Sequence, residues 1–131
     1  LDEAFERFLK KGRPAWVPKS KMSALDAIEL IHQAGGLAVL AHPGLNRNDQ
    51  AIPDLVAAGL DGIECFHTKH PPATSQHYLG LANKFSLLVT GGSDCHGLSK
   101  GKPLIGTVRL AREHFDKLKA AAAKRSAVVV K

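Results

Sequence analysis

Asp94 and His96 stand two residues apart, directly after an apolar run, Leu87–Thr90, and a Gly91-Gly92 pair. The run reads as a buried strand, and in extended chain residues i and i+2 point the same way. A carboxylate and an imidazole are therefore aimed together beyond a strand end, with Cys95 turned away from them. Two further apolar runs end alike: Leu37–Ala41 leads into His42-Pro43-Gly44, and Gly62–Phe66 carries Glu64 inside it and His67 at its end. The proline predicts an extended backbone at His42. Glu64 stands out because a lone buried carboxylate is costly. Imidazole and carboxylate groups gathered at successive strand ends suit Zn²⁺, Mn²⁺ or Fe ions. Cys65 and Cys95 alternate with these groups and are expected to be reduced thiols in packing, neither paired nor bound to metal.

The elements that must position these groups follow a rhythm. Leu1–Lys11 reads as a helix with Leu1, Phe5, Phe8 and Leu9 on one face, stopped by Gly12-Arg13-Pro14; an extended basic linker follows to Lys21. Ser23 with Asp26 makes a capping box for a helix that Gly35-Gly36 ends. Pro53 starts a second helix, which stops at Gly59. A third runs over Thr74–Phe85, with Tyr78, Leu81, Ala82 and Phe85 facing inward. Helix then strand, three times over, predicts an α/β fold with a parallel sheet or barrel, three core strands and flanking helices. Beyond the Asp94 loop a short strand is expected at Thr107–Leu110 and a helix at Glu113–Lys124; Ser126–Val130 has no clear placement. The divisions are 1–22 (helix and basic linker), 23–106 (βα core with the motifs) and 107–131 (tail). His32, His77 and His114 fall on helix faces; His70, in the loop before Pro71, reads as a plain loop residue, with a place at the border of the site as the alternative.

With 131 residues the chain makes one domain at most. No apolar run approaches the ~20 residues of a membrane span, and a cytoplasmic location is the expectation. The start, Leu1-Asp2-Glu3, has neither an initiator Met nor a signal pattern and reads as cut from a longer protein. The net charge of +6 is mostly solvated surface; its functional part would attract a phosphorylated or nucleic-acid substrate. Basic groups interleaved with aromatics for RNA binding are absent.

Three stretches, Gly35–Gly44, Gly59–Glu64 and Thr90–Gly97, closely resemble the later motifs of the PHP (polymerase and histidinol phosphatase) family, over roughly Gly12 to Gly106. The resemblance implies a distorted βα barrel, seven-stranded when complete, with up to three divalent ions (Mn, Zn or Fe). It implies a phosphoesterase acting on nucleotides or short RNA. His42 matches the family's Ala-His-Pro metal ligand, and Asp94 and His96 match its Ser-Asp-x-His ligands; these three are the expected catalytic and metal residues. Glu64 and His67 fall where the family lines its site, and Arg13 and Lys19 where similar proteins approach the substrate phosphate. The family's opening His-x-His motif is missing, since no His precedes His32. The chain is thus expected to be a C-terminal part, inactive alone, completed by the missing N-terminal part of the same protein. Its open sheet edge invites pairing with another chain. The alternatives are a non-catalytic PHP-like module supporting a nucleic-acid enzyme, and an amidohydrolase-type metalloenzyme.

Overall fold

A computed structural model describes residues 2–18 and 21–129. Among these residues three parallel strands form one sheet in the order β1–β2–β3: β1 is Val39–Leu40, β2 Gly62–His67 and β3 Leu88–Gly92. The longer helices are α1 (Ala24–Gln33), α2 (Ile52–Ala57), α3 (Pro72–Lys84) and α4 (Arg112–Val129). The α/β alternation and the parallel sheet read from the sequence are both present.

Each helix-to-strand turn is built the same way. After α1, the Gly36 N–H reaches the Ile31 carbonyl at 2.8 Å and the Gly35 N–H reaches His32 at 2.9 Å. After α2, Leu60 and Gly59 repeat the pattern on Leu55 and Val56, and after α3, Leu87 and Ser86 repeat it on Ala82 and Asn83. This is the Schellman stop, and it needs one left-handed residue. Gly35 and Gly59 supply it freely, at φ 75° and 99°; at the third stop Ser86 is forced to φ 54°. Each reversal delivers the chain into a strand at the same level, so the strand ends finish side by side. Ser23 and Asp26 make the expected capping box, at 3.0 and 3.2 Å.

Ile63 and Cys65 of β2 are fully buried against Ile52, Tyr78 and Ala82, and a second cluster joins Ile28, Ala38 and Leu60. Asp61, at the entry to β2, ties the layers together. Its Oδ2 accepts the Ala38 N–H and the His32 Nε2–H, each at 2.8 Å, and its Oδ1 accepts Arg125 from α4. His32 is therefore a partner in this tie rather than a plain helix-face residue.

Several expectations are corrected. The first strand shrinks to two residues. His42 is not extended but left-handed, at φ 32° and ψ 54°, because its amide is drawn to the Glu64 carboxylate. Thr107–Leu110 forms no strand; the Thr107 hydroxyl and amide both turn back onto the Leu104 carbonyl, at 2.6 and 3.1 Å. The tail is helical through Val129, so the stretch 126–129 extends α4. The N-terminal helix breaks into Asp2–Ala4 and one wider turn, Phe5–Leu9, and Phe5, Phe8 and Leu9 stay about half exposed because no core element lies under them.

Asp61→Ala strands the Ala38 amide, His32 and Arg125 together, so it should lower unfolding stability by about 2–3 kcal/mol. Ser86→Gly should raise it by up to about 1 kcal/mol by removing the left-handed strain. Urea melts of the two variants beside the parent chain check both signs.

Candidate active site

The site is set by what happens at the exits of the three strands. β2 and β3 run in register from Gly62 opposite Leu88 to Glu64 opposite Thr90, and then a bulge intervenes, so that Phe66 faces Gly91 and His67 faces Gly92. A bulge re-aims the residues after it. The strands approach closely there: a side-chain carbon at Gly91 would stand 2.8 Å from the Phe66 Cβ.

Glu64 spans the strand exits. Its Oε2 accepts the His42 N–H at 2.8 Å, and its Oε1 lies where a Cβ on Gly92 would meet it at 3.1 Å. The carboxylate that looked costly in an apolar strand thus has a donor, and it holds the His42 turn against the exit of β3. His67 is 4% exposed. Its ring lies edge-on to His42, centroids 5.6 Å apart, and 5.2 Å from His70, which in turn sits 5.5 Å from the Tyr78 ring. His67 Nε2 is 3.7 Å from Asp94 Oδ2. His96 Nδ1 is 2.7 Å from the Asp94 carbonyl and 3.8 Å from its Oδ1. Asp94 is left-handed, at φ 51°, so the pair meets through a turn and not through the extended geometry expected.

Hydrogen-bond partners fix the tautomers in the neutral rings. A carbonyl only accepts, so His96 Nδ1 and His70 Nδ1, the latter 3.1 Å from the Cys65 carbonyl, carry protons. An amide N–H only donates, and Lys69 N–H meets His67 Nδ1 at 3.1 Å; the proton of His67 is therefore on Nε2, which has no hydrogen-bond partner. His42 Nδ1 and His70 Nε2 are likewise buried without partners.

These groups border a cavity of about 220 Å³ lined by His67, Asp94, His96, Lys69 and Lys102, among others. His42 packs against His67 and does not line this cavity. Arg13 lies exposed in the N-terminal arm and does not line it either; Lys19 falls outside the described residues. Lys69, not singled out by sequence, and Lys102, one of the lysines that follow the Asp94 loop, do line it. The signal available was their position just after β2 and after the Asp94 loop.

A metal ion fits in part. Donors 3.7 Å apart can share one ion at about 2.0–2.2 Å from each. That is half a tetrahedral shell, and among the described residues no three His, Cys, Asp or Glu side chains group to hold an ion. The His67 Nε2 proton would also have to leave before that nitrogen could ligate.

Cys95 does not point into packing as expected. Its sulfur accepts the Leu104 N–H at 3.2 Å, and backbone N–H groups of Gly97 and then Leu104 hold its thiol below the ordinary range. Both cysteines are free, as expected. Burial, with the Glu64 carboxylate adding to it, pushes the Cys65 thiol up to about 12.

No family model matches the chain. It is 45% identical over 85 residues to a phosphoribosyl 1,2-cyclic phosphate 1,2-diphosphodiesterase of Eggerthella lenta, covering 65% of this chain and 32% of that protein. It is 34% identical over 107 residues to a 3',5'-nucleoside bisphosphate phosphatase of Chromobacterium violaceum (78% and 38%), and 32% over 101 residues to the 5'-3' exoribonuclease Rnm of Escherichia coli (73% and 34%). A solved structure from Bifidobacterium adolescentis, assigned as a metal-dependent phosphoesterase, superposes with TM-score 0.68 at 32% identity over 92% of this chain and 44% of its own. An amidohydrolase from Chromobacterium violaceum, with bound sulfate and no metal, superposes at 0.65 and 28% identity over the same shares. The chain is thus related to the metal-dependent phosphoesterases, and the resemblance to the PHP family read from its motifs holds. It spans about a third of the length of the curated relatives it matches. Among the described residues no helix is long and apolar enough to cross a membrane.

Two thiols with opposite shifts give a pH test. Iodoacetamide should label Cys95 in the folded chain and Cys65 only after unfolding. Tyr78 is also raised to about 12, by burial and then by the hydrogen bond from its hydroxyl to Asp49. Cys65 and Tyr78 lose their protons more readily unfolded, from 9.0 and 10.0 upward. Their contribution to stability is therefore full below pH 9 and falls as pH rises toward 12. Urea midpoints that stay flat across that window would contradict the burial of both groups.

Proposed function

We propose that the chain is the later-motif part of a metal-dependent phosphoesterase that cleaves phosphate esters of nucleotides or short RNA. The observation that carries this reading is the convergence of His67 Nε2 and Asp94 Oδ2, 3.7 Å apart, in a cavity flanked by Lys69 and Lys102. The buried N–H of His67 and the two ammonium groups recognise a tetrahedral oxyanion. The Asp94 carboxylate opposes one at the same place, and a cation between them resolves that repulsion. A bound divalent ion would supply that charge and activate a water for attack on phosphorus. The proposed metal-facing residues are Asp94 and His96, with His42 held behind His67, and Glu64 fixes the His42 turn. Arg13 and Lys19 remain proposed phosphate contacts from the basic segment.

The relatives are named for phosphodiester or phosphate hydrolysis, and the neighbour called an amidohydrolase holds sulfate, itself a tetrahedral oxyanion. Both favour the phosphate reading over the amide one. The ligand count also supports the proposal that this chain alone is inactive and that the rest of a longer chain supplies the remaining metal ligands. The basic segment 1–22, the βα core 23–106 and the tail 107–131 then act as one unit, completed by that remainder across an open sheet edge.

Calorimetric titration with Mn²⁺ or Zn²⁺ should show weak binding, abolished by Asp94→Asn. Hydrolysis of a nucleoside bisphosphate should be undetectable beside a full-length relative. Tight binding of two or more ions per chain, or turnover like the relative's, would sink the partial-site reading.

A further inference from the structure

Glu64 and His67 both reach His42. The Glu64 carboxylate takes the His42 amide at 2.8 Å, and the ring of His67 lies 5.6 Å from that of His42, centroid to centroid. Yet in a regular strand residues i and i+3 point to opposite faces. Cys65 and Phe66, between them, go together to the other face. Cys65 is buried in the core cluster with Ile52 and Tyr78, and Phe66 packs against that cluster.

The bulge makes this order possible. Glu64 faces Thr90 and Phe66 faces Gly91, so Cys65 has no counterpart on β3. On the other side β1 has ended at Leu40, opposite Ile63. An unbroken ladder would set Cys65 against Gly91 and Phe66 against Gly92. A slip of one residue exchanges the faces, so Phe66 would turn to the site and His67 to the core.

At the bulged residue itself, the Cys65 carbonyl accepts the Nδ1–H of His70 at 3.1 Å. The turn after β2 places His70 for this. Its amide returns to the His67 carbonyl at 2.9 Å, and the Thr68 hydroxyl ties the same turn to the Ser93 carbonyl at 2.8 Å. The ring is buried beside Tyr78, and Gly44 leaves room for it: a Cβ there would meet His70 Nε2 at 2.8 Å. Nε2 has no hydrogen-bond partner, so the hydrogen bonding of this ring is directed at Cys65.

We propose that His70 is a positioning residue. Its bond to the Cys65 carbonyl keeps the bulge open, and the open bulge keeps His67 on the face it shares with His42 and Asp94. A buried carbonyl without a donor is costly, so without His70 the bulged register loses its advantage over regular pairing. This rests on the proposed phosphoesterase reading for the use made of His67, and adds to it the residue that aims that ring.

NMR on this chain tests it. Long-range ¹H–¹⁵N spectra should find the His70 proton on Nδ1; a proton on Nε2 would overturn the proposal with no substitution made. Ring-to-ring NOEs should join His67 to His42. His70→Leu, which removes the donor, should lose them and gain contacts from Phe66 to His42. His70→Asn, whose amide nitrogen stands where Nδ1 does, should keep the parent pattern. A folded His70→Leu chain with the His67–His42 NOEs intact would refute the positioning role, and so would a His70→Asn chain that has lost them. Where His70→Leu does not fold, the parent tautomer and His70→Asn decide. In a ³¹P titration, inorganic phosphate should bind the parent and His70→Asn alike, and His70→Leu about tenfold more weakly, the worth of one charge-assisted contact. NOEs that change as expected, in a chain whose parent form binds no phosphate, would leave the positioning role standing and remove the phosphoesterase reading.

Discussion

Two carboxylates three residues apart hold this molecule in shape. Asp61 stands at the entry of β2 and Glu64 within it, and between them they satisfy two backbone amides and two side chains that no strand ladder reaches. Asp61 gathers Ala38, His32 and Arg125, which joins α1, the approach to β1 and α4 at one end of the sheet. Glu64 takes the His42 amide and lies against Gly92, which joins the exits of β1 and β3 at the other. A three-stranded sheet whose first strand is two residues long has few ladder bonds to spare. Charge-assisted bonds to buried amides are about twice as strong as neutral ones, and here they stand in for the missing ladder.

The same economy explains the strain at the strand exits. His42 and Asp94 both occupy left-handed backbone without being glycine, a conformation that persists only when its surroundings over-determine it. At His42 the determinant is the Glu64 bond. At Asp94 it is the following turn, where the Asp94 carbonyl meets the His96 ring and the Cys95 sulfur meets the Leu104 amide. Each turn swings a side chain off the strand axis toward β2, whose bulge has already re-aimed His67. Position at the site is thus set by three separate departures from regular strand geometry.

That is also why the sequence disclosed the fold more fully than the site. Capping at Ser23, the glycine stops and the apolar runs are local signals, and they placed α1, α2, α3 and three strands of a parallel sheet. Pro43 gave a local signal too, for extended backbone at His42, and it misled because a carboxylate 22 residues away overrides it. The bulge between Glu64 and Phe66 leaves no mark in composition, and neither do the tautomers of His67 and His70, which depend on amides and carbonyls brought together by folding. His32 read as a helix-face histidine because its partner Asp61 lies 29 residues on. Lys69 and Lys102 read as solvated charge for the same reason.

The opposed tautomers bear on how such a site could work. His67 carries its proton on Nε2, beside Asp94, whereas His70, one ring deeper, carries its proton on Nδ1 and leaves Nε2 against Gly44. Each is set by a backbone group at its other nitrogen, so neither ring can change role without breaking a bond to the main chain. An ion that ligated His67 Nε2 would displace its proton, so in the proposed reading metal and phosphate would compete for that nitrogen. In the proposed reading the Asp94 oxygens, which carry no such proton, are the better metal-facing groups. His67, which would first have to lose its Nε2 proton to ligate, suits the phosphoryl group of the proposed reading better than the metal.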